Sequence, residues 1–176
     1  MIDSWYNNVK AYNKIFLLIL VAGSCIGCDR LTKDVARNEL KEAKPISYLG
    51  DVIRLQYEEN QGAMFSVGSD LPERVRFVVF TVLMGFLLSG ILMFVIINRR
   101  STAGDIVTAS LVVGGGCGNL LDRLLYNGSV IDFLNIGVGS IRTAIFNVAD
   151  VVVIAGVVLF FVQRARRDMR SAFLSL

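Results

Sequence analysis

The chain has 176 residues, 54% of them hydrophobic, a formal charge of +3 and a mean hydropathy of +0.59. That apolar excess excludes an ordinary soluble domain and implies a single integral membrane domain over residues 1–176. There is no histidine, which excludes Ser/His and Cys/His nucleophiles and His-ligated zinc and leaves acid–base chemistry to Asp, Glu, Lys, Tyr or Cys.

Apolar windows of bilayer-crossing length, about 20 residues at 1.5 Å each, predict four spans at 14–36, 75–97, 103–125 and 146–163. The first carries Asp29, Arg30, Lys33 and Asp34 in its last two turns, with Asp29 and Lys33 spaced i,i+4 on one face. Cys25 and Cys28 within it, like Cys117 in the third span, read as small packing residues. Trp5, Tyr6 and Tyr12 are expected as interfacial anchors. In the following segment, 37–74, Val52 to Tyr57 alternates as a short strand. Asn60-Gln-Gly-Ala-Met-Phe65 then reads as a loop dipping into the interface, with Asn60 placed to hydrogen-bond an extended peptide. The second span is plain scaffold.

The third span contains Gly114-Gly-Gly-Cys-Gly118-Asn119. Gly114 and Gly118 satisfy the small-xxx-small pattern that lets membrane helices approach closely. A phosphate loop is excluded, because Asn-Leu-Leu-Asp follows where Lys-Ser/Thr is needed. Asn119, Asp122 and Arg123 share a face at i,i+3,i+4, and Asp122 with Arg123 reads as an ion pair in which arginine orients a carboxylate. Ser129 to Phe146 mixes β-branched residues with glycine turns, which also suits short strands, and carries Asp132. The fourth span opens on Asn147 and Asp150, spaced i,i+3 on one helix face.

Lys10 and Lys14, Arg99 and Arg100, and Arg164, Arg166, Arg167 and Arg170 put both termini and the middle loop on the cytoplasmic side by the positive-inside rule. Segments 37–74 and 126–145 then face the periplasm, and every polar cluster gathers near that face. The expected fold is an all-α membrane core of four transmembrane helices with a small periplasmic β-cradle and a loop or helix cap.

Asp132 and Asp150 are the pair suited to aspartic proteolysis. One carboxylate draws a proton from water while the other, protonated, polarises the scissile carbonyl. Such a pair needs no metal or cofactor, and no basic stripe interleaved with aromatics suggests nucleic acid. Two alternatives remain at this point. The aspartates can serve a small proton-coupled transporter as a relay, and Lys10 to Cys25 imitates a lipoprotein signal, although three downstream spans speak against that.

The ordered set Asp29-Arg-Leu-Thr-Lys33, Asn60-Gln-Gly-Ala-Met-Phe65, Gly115-Gly-Cys-Gly-Asn119-Leu-Leu-Asp122-Arg123, Val130-Ile-Asp132-Phe133 and Phe146-Asn147-Val-Ala149-Asp150 closely resembles bacterial lipoprotein signal peptidase (signal peptidase II). The resemblance implies an aspartyl endopeptidase of the inner membrane that cuts before the diacylglyceryl-modified cysteine of prolipoproteins. It also implies contact with membrane lipids, sensitivity to the cyclic peptide globomycin, and a monomer by default. On this resemblance the catalytic dyad falls on Asp132 and Asp150, and Asp29, Lys33, Asn60, Gly62, Asn119, Asp122, Arg123 and Asn147 fall on supporting or substrate-binding positions. Asp122 is the rival partner for Asp150. Gln61, Met64 and Cys117 depart from the commoner family residues without touching the carboxylates. Ser47 to Gly68 and the stretch after Asp132 are expected to clamp the substrate.

Overall fold

The computed structural model describes residues 11–63 and 67–174. Trp5, Tyr6, Lys10, Met64 and Phe65 lie outside that description. Among the described residues, four helices are long and apolar enough to cross a membrane. Helix α1 spans Ala11–Leu40, α2 Glu73–Ile97, α3 Ala103–Leu125 and α4 Val148–Leu174. At 30 residues, α1 is about 45 Å long, well beyond a hydrocarbon core of about 30 Å. Its polar last turns therefore emerge from the apolar layer and support what lies above it.

Helix α3 is the centre of the bundle, packing on α1, α2 and α4. Its span is 44% buried against 11–17% for the other three. The glycine run makes this placement sterically feasible. A Cβ at Gly115 would lie 2.5 Å from the Ala149 carbonyl oxygen, and one at Gly118 would lie 2.5 Å from Asp29 Oδ2. Gly118→Ala is therefore expected to cost about 1–3 kcal/mol by overpacking, read as a lowered melting midpoint in detergent. Gly27→Ala, whose Cβ meets nothing within 4 Å, is the neutral control.

Helix α3 starts on a reciprocal cap. Thr102 Oγ1 accepts from the Asp105 N–H, and Asp105 accepts from the Thr102 N–H. Arg167 near the end of α4 reaches the same Asp105 at 2.6 Å, which fastens the two helices at this end. A buried apolar cluster of Val95, Ile106 and Ala109 lies beside it.

At the opposite end an antiparallel sheet in the order β1-β2-β3-β4 covers the bundle, with β1 at Ile46–Tyr48, β2 at Ile53–Asn60, β3 at Val130–Val138 and β4 at Ile141–Arg142. The sheet packs on the emergent part of α1 through Ala36, Leu40 and Phe133. The β2–β3 register shifts between Leu55 and Glu58, setting Glu58 opposite Asp132 and Asn60 opposite Val130. This bulge aims Asp132 at the helix ends. Within the stretch Ser47–Gly68, residues 47–48 and 53–60 belong to the sheet.

Candidate active site

Helix α4 begins with a second reciprocal cap, which places two of the site residues. Asn147 Oδ1 accepts from the Asp150 N–H at 3.0 Å, and Asp150 Oδ2 accepts from the Asn147 N–H at 3.1 Å. The next free N–H, that of Ala149, donates to Asp29 Oδ1 at 2.9 Å. A carboxylate from α1 thus sits at the positive end of α4.

Asn147 also joins the two aspartates. Its Nδ2 donates to Asp132 Oδ1 at 2.6 Å, while its backbone N–H holds Asp150. The other Asp132 oxygen accepts from Asn60 Nδ2 at 3.0 Å. Asp150 Oδ1 accepts from Asn119 Nδ2 at 2.8 Å. Asn119 is orientated by a cation, since its Oδ1 accepts from Lys33 Nζ at 2.8 Å and its amide hydrogens must face the other way. Asp132 and Asp150 line one pocket of about 50 Å³ together with Asn60, Gly62, Asn119 and Arg123.

Beneath the pocket lies a charged cluster. Lys33 Nζ is 2.8 Å from Asp29 and 2.9 Å from Asp122, and all three side chains are 0% exposed. The i,i+4 pairing of Asp29 and Lys33 read from the sequence is formed. Asp122 takes Arg30 on its other oxygen and accepts the Ile131 N–H at 3.1 Å. It therefore ties α1 to the strand that carries Asp132, and it is not among the residues lining the pocket.

One expectation is corrected. Asp122 does not pair with Arg123, because consecutive residues on a helix point about 100° apart. Arg123 turns the other way, donating to the Gly62 carbonyl at 2.9 Å and lying over the Phe80 ring. Asn60 lines the pocket and also has partners within the chain. Its amide is engaged by Asp132, the Ala63 carbonyl and the Gly62 N–H, so it positions Asp132.

Sequence reasoning missed Arg30 and Phe80 as parts of the site's support. Arg30 was visible as a cation beside Asp29 in a membrane helix, and its distance of one position from Asp29 disguised its different partner. Phe80 gave no signal, being one apolar residue in an apolar span. It lies within a π-helical segment, Val78–Leu83, a local widening of the helix that commonly accompanies functional sites.

Asp132 is 3% exposed. Burial raises its carboxyl to about 7, the charge of Asp150 adds to the rise, and the Asn60 and Asn147 amides oppose it. A buried carboxyl that holds its proton near neutrality beside a second carboxylate is suited to shared-proton acid–base chemistry.

The family model described as Signal peptidase (SPase) II matches residues 21–166. The chain is 33% identical over 166 residues to a lipoprotein signal peptidase of Leifsonia xyli subsp. xyli, covering 91% of this chain and 72% of that one. It is 32% identical over 151 residues to one of Clostridium acetobutylicum, covering 85% and 94%. Among solved structures, a bacterial membrane enzyme determined by the in meso method at 1.9 Å aligns with a TM-score of 0.70 at 25% identity, covering 83% of this chain and 90% of that one. A second, at 2.3 Å, gives 0.72 at 24% identity over 85% and 87%, a likeness of fold.

Proposed function

The chain belongs to the signal peptidase II family, which makes it a protease with several spans in a bacterial membrane, and from that premise we propose that it removes the signal peptide from diacylglyceryl-modified prolipoproteins. The cut falls before the lipidated cysteine, and Asp132 and Asp150 perform it. The observation that carries this reading is the single pocket into which both aspartates face, each held by asparagine amides.

In this reading Asp150 takes a proton from water while Asp132, protonated, donates to the scissile carbonyl. Water then adds to the carbonyl carbon, and the proton passes to the leaving amine as the tetrahedral centre collapses. A pocket of about 50 Å³ suits a water, whose share of liquid volume is about 30 Å³, beside a carbonyl oxygen. Asn60, Asn119 and Asn147 hold the carboxyl planes, while Asp29, Lys33, Asp122 and Arg123 hold the helices and the Gly62 turn that frame them. A polar trough of about 430 Å³ runs along the sheet and shares Asn60 and Ile145 with the pocket. It is the place for the polypeptide following the cysteine, held by β2 and the stretch after Asp132.

The arginine-rich helix ends support an orientation with both termini in the cytoplasm and the carboxylates at the outer face of the inner membrane. There the substrate's acyl chains stay in the bilayer while its cysteine reaches the interface. In this reading a monomer is the default working unit, and globomycin-type cyclic peptides compete for the same pocket. A transmembrane relay is disfavoured because the carboxylate cluster gathers at one end, while a buried apolar cluster of Val95, Ile106 and Ala109 lies toward the other.

The test is mass spectrometry of products from a prolipoprotein incubated with the purified protein, with and without the diacylglyceryl group. Release of the signal peptide at the bond before the modified cysteine is expected, and an intact modified precursor under conditions where a known signal peptidase II cleaves it would contradict the proposal.

The raised Asp132 carboxyl also sets a pH dependence. The fold favours its protonated form, so activity falls as pH rises through about 7. Its contribution to stability is full below the unfolded value of about 3.9 and is lost as pH rises to about 7. The melting midpoint of wild type relative to Asp132→Asn should decline across that window and level off above it. A constant difference would refute the assignment.

A further inference from the structure

At the end of the bundle away from the carboxylates, Gly90 and Phe94 of α2, Val112 of α3, and Val157 and Phe161 of α4 line an open apolar groove of about 1100 Å³. Gly90 makes the room, since a Cβ built there would meet nothing within 4 Å. The groove's mouth is polar, with Asn98, Arg100, Asp105 and Arg167 among its lining. Arg167 is held by Asp105 at 2.6 Å and Thr102 at 3.2 Å. The Arg100 guanidinium, by contrast, is exposed and pairs with no other described residue. Residues 99–105 and 164–170 around the mouth carry six arginines against two aspartates.

An apolar groove that opens to the bilayer and ends in a cationic mouth complements a lipid with apolar chains and an anionic headgroup. A signal-peptide helix is the rival occupant, but the basic segment preceding its apolar run would face the same arginines. We infer that this groove is a binding site for an anionic phospholipid, with its chains along Gly90, Phe94 and Phe161 and its phosphate on Arg100. The lipid belongs to the cytoplasmic leaflet in the orientation proposed above. The inference rests on the four helices spanning a membrane and does not depend on the catalytic assignment.

Native mass spectrometry of the full chain, loaded in detergent with phosphatidylglycerol or with phosphatidylcholine of identical chains, tests it. Wild type should retain phosphatidylglycerol about fivefold more strongly. Arg100→Gln should abolish that preference. Gly90→Leu, which grows a side chain into the open groove, should reduce retention of both lipids while leaving the melting midpoint in lipid-free detergent near that of wild type. Excess inorganic phosphate should leave the bound lipid in place. Equal retention of the two lipids, an unchanged preference in Arg100→Gln, or displacement of the lipid by phosphate or by a basic signal peptide would each overturn the site. Prolipoprotein cleavage by the same preparations separates failure of this site from failure of the catalytic reading.

Discussion

Asp132→Asn or Asp150→Asn is expected to lower the single-turnover rate of prolipoprotein cleavage by at least about 10³-fold, and the double variant is expected to be no slower than the worse of the two. Asparagine has nearly the shape of the carboxylate but can neither take a proton from water nor give one to a carbonyl. The two side chains act on one water and one carbonyl in one pocket of about 50 Å³, so losing either removes the whole proton circuit and the effects do not add. Asn147 is bonded to both carboxylates through different atoms, so each replacement leaves the other aspartate anchored by the same residue. Additive losses in the double variant would mean that the aspartates work on separate steps.

Lys33→Met is expected to destabilise the fold by about 3–5 kcal/mol, measured by denaturant unfolding in micelles. Lys33 is fully buried and serves Asp29, Asp122 and Asn119 together. Methionine fills similar space but leaves Asp29 as a buried carboxylate whose remaining partner is the Ala149 N–H, while Asp122 keeps Arg30. Adding Asp29→Asn to Lys33→Met should recover part of the loss, because the uncompensated charge goes with it. A change below about 1 kcal/mol for Lys33→Met would show that water reaches this cluster and that burial is not what makes the lysine necessary. Activity should fall with the folded fraction and further still, since Lys33 sets the orientation of the Asn119 amide that holds Asp150.

The fold class was legible because apolar runs of membrane length admit few readings, because Val52 to Tyr57 alternates apolar and polar residues, and because Ser129 to Phe146 mixes β-branched residues with glycine turns. The three-residue β1 was not, since Ile46-Ser-Tyr48 owes its conformation to pairing with Ile53, Arg54 and Leu55 rather than to any pattern of its own. Within the site, the residues were legible and their partners were only partly so. The helical spacing that brings Lys33 to Asp29 predicts that pair correctly. Adjacency in sequence suggested Asp122 with Arg123, whereas helix geometry turns one toward α1 and the other toward Gly62. The pair Asn147 and Asp150 was read as sharing a helix face. Its more informative reading was available from the same spacing, for Asn-x-x-Asp at the start of an apolar run is a helix cap. Such a cap fixes both side chains relative to the backbone. The bond from Asn60 to Asp132 depends on the β2–β3 bulge, a long-range register no local pattern encodes.

The most direct test is to measure cleavage of a diacylglyceryl-modified prolipoprotein and the melting midpoint together for purified wild type, Asp122→Asn and Asp132→Asn. Asp132→Asn should melt no lower than wild type at pH 7 and not cleave. Asp122→Asn should melt lower, because Arg30 and Lys33 lose a buried partner, yet its folded fraction should still cleave. Near-normal cleavage by Asp132→Asn beside a folded, inert Asp122→Asn would contradict the account and move the partner of Asp150 to Asp122.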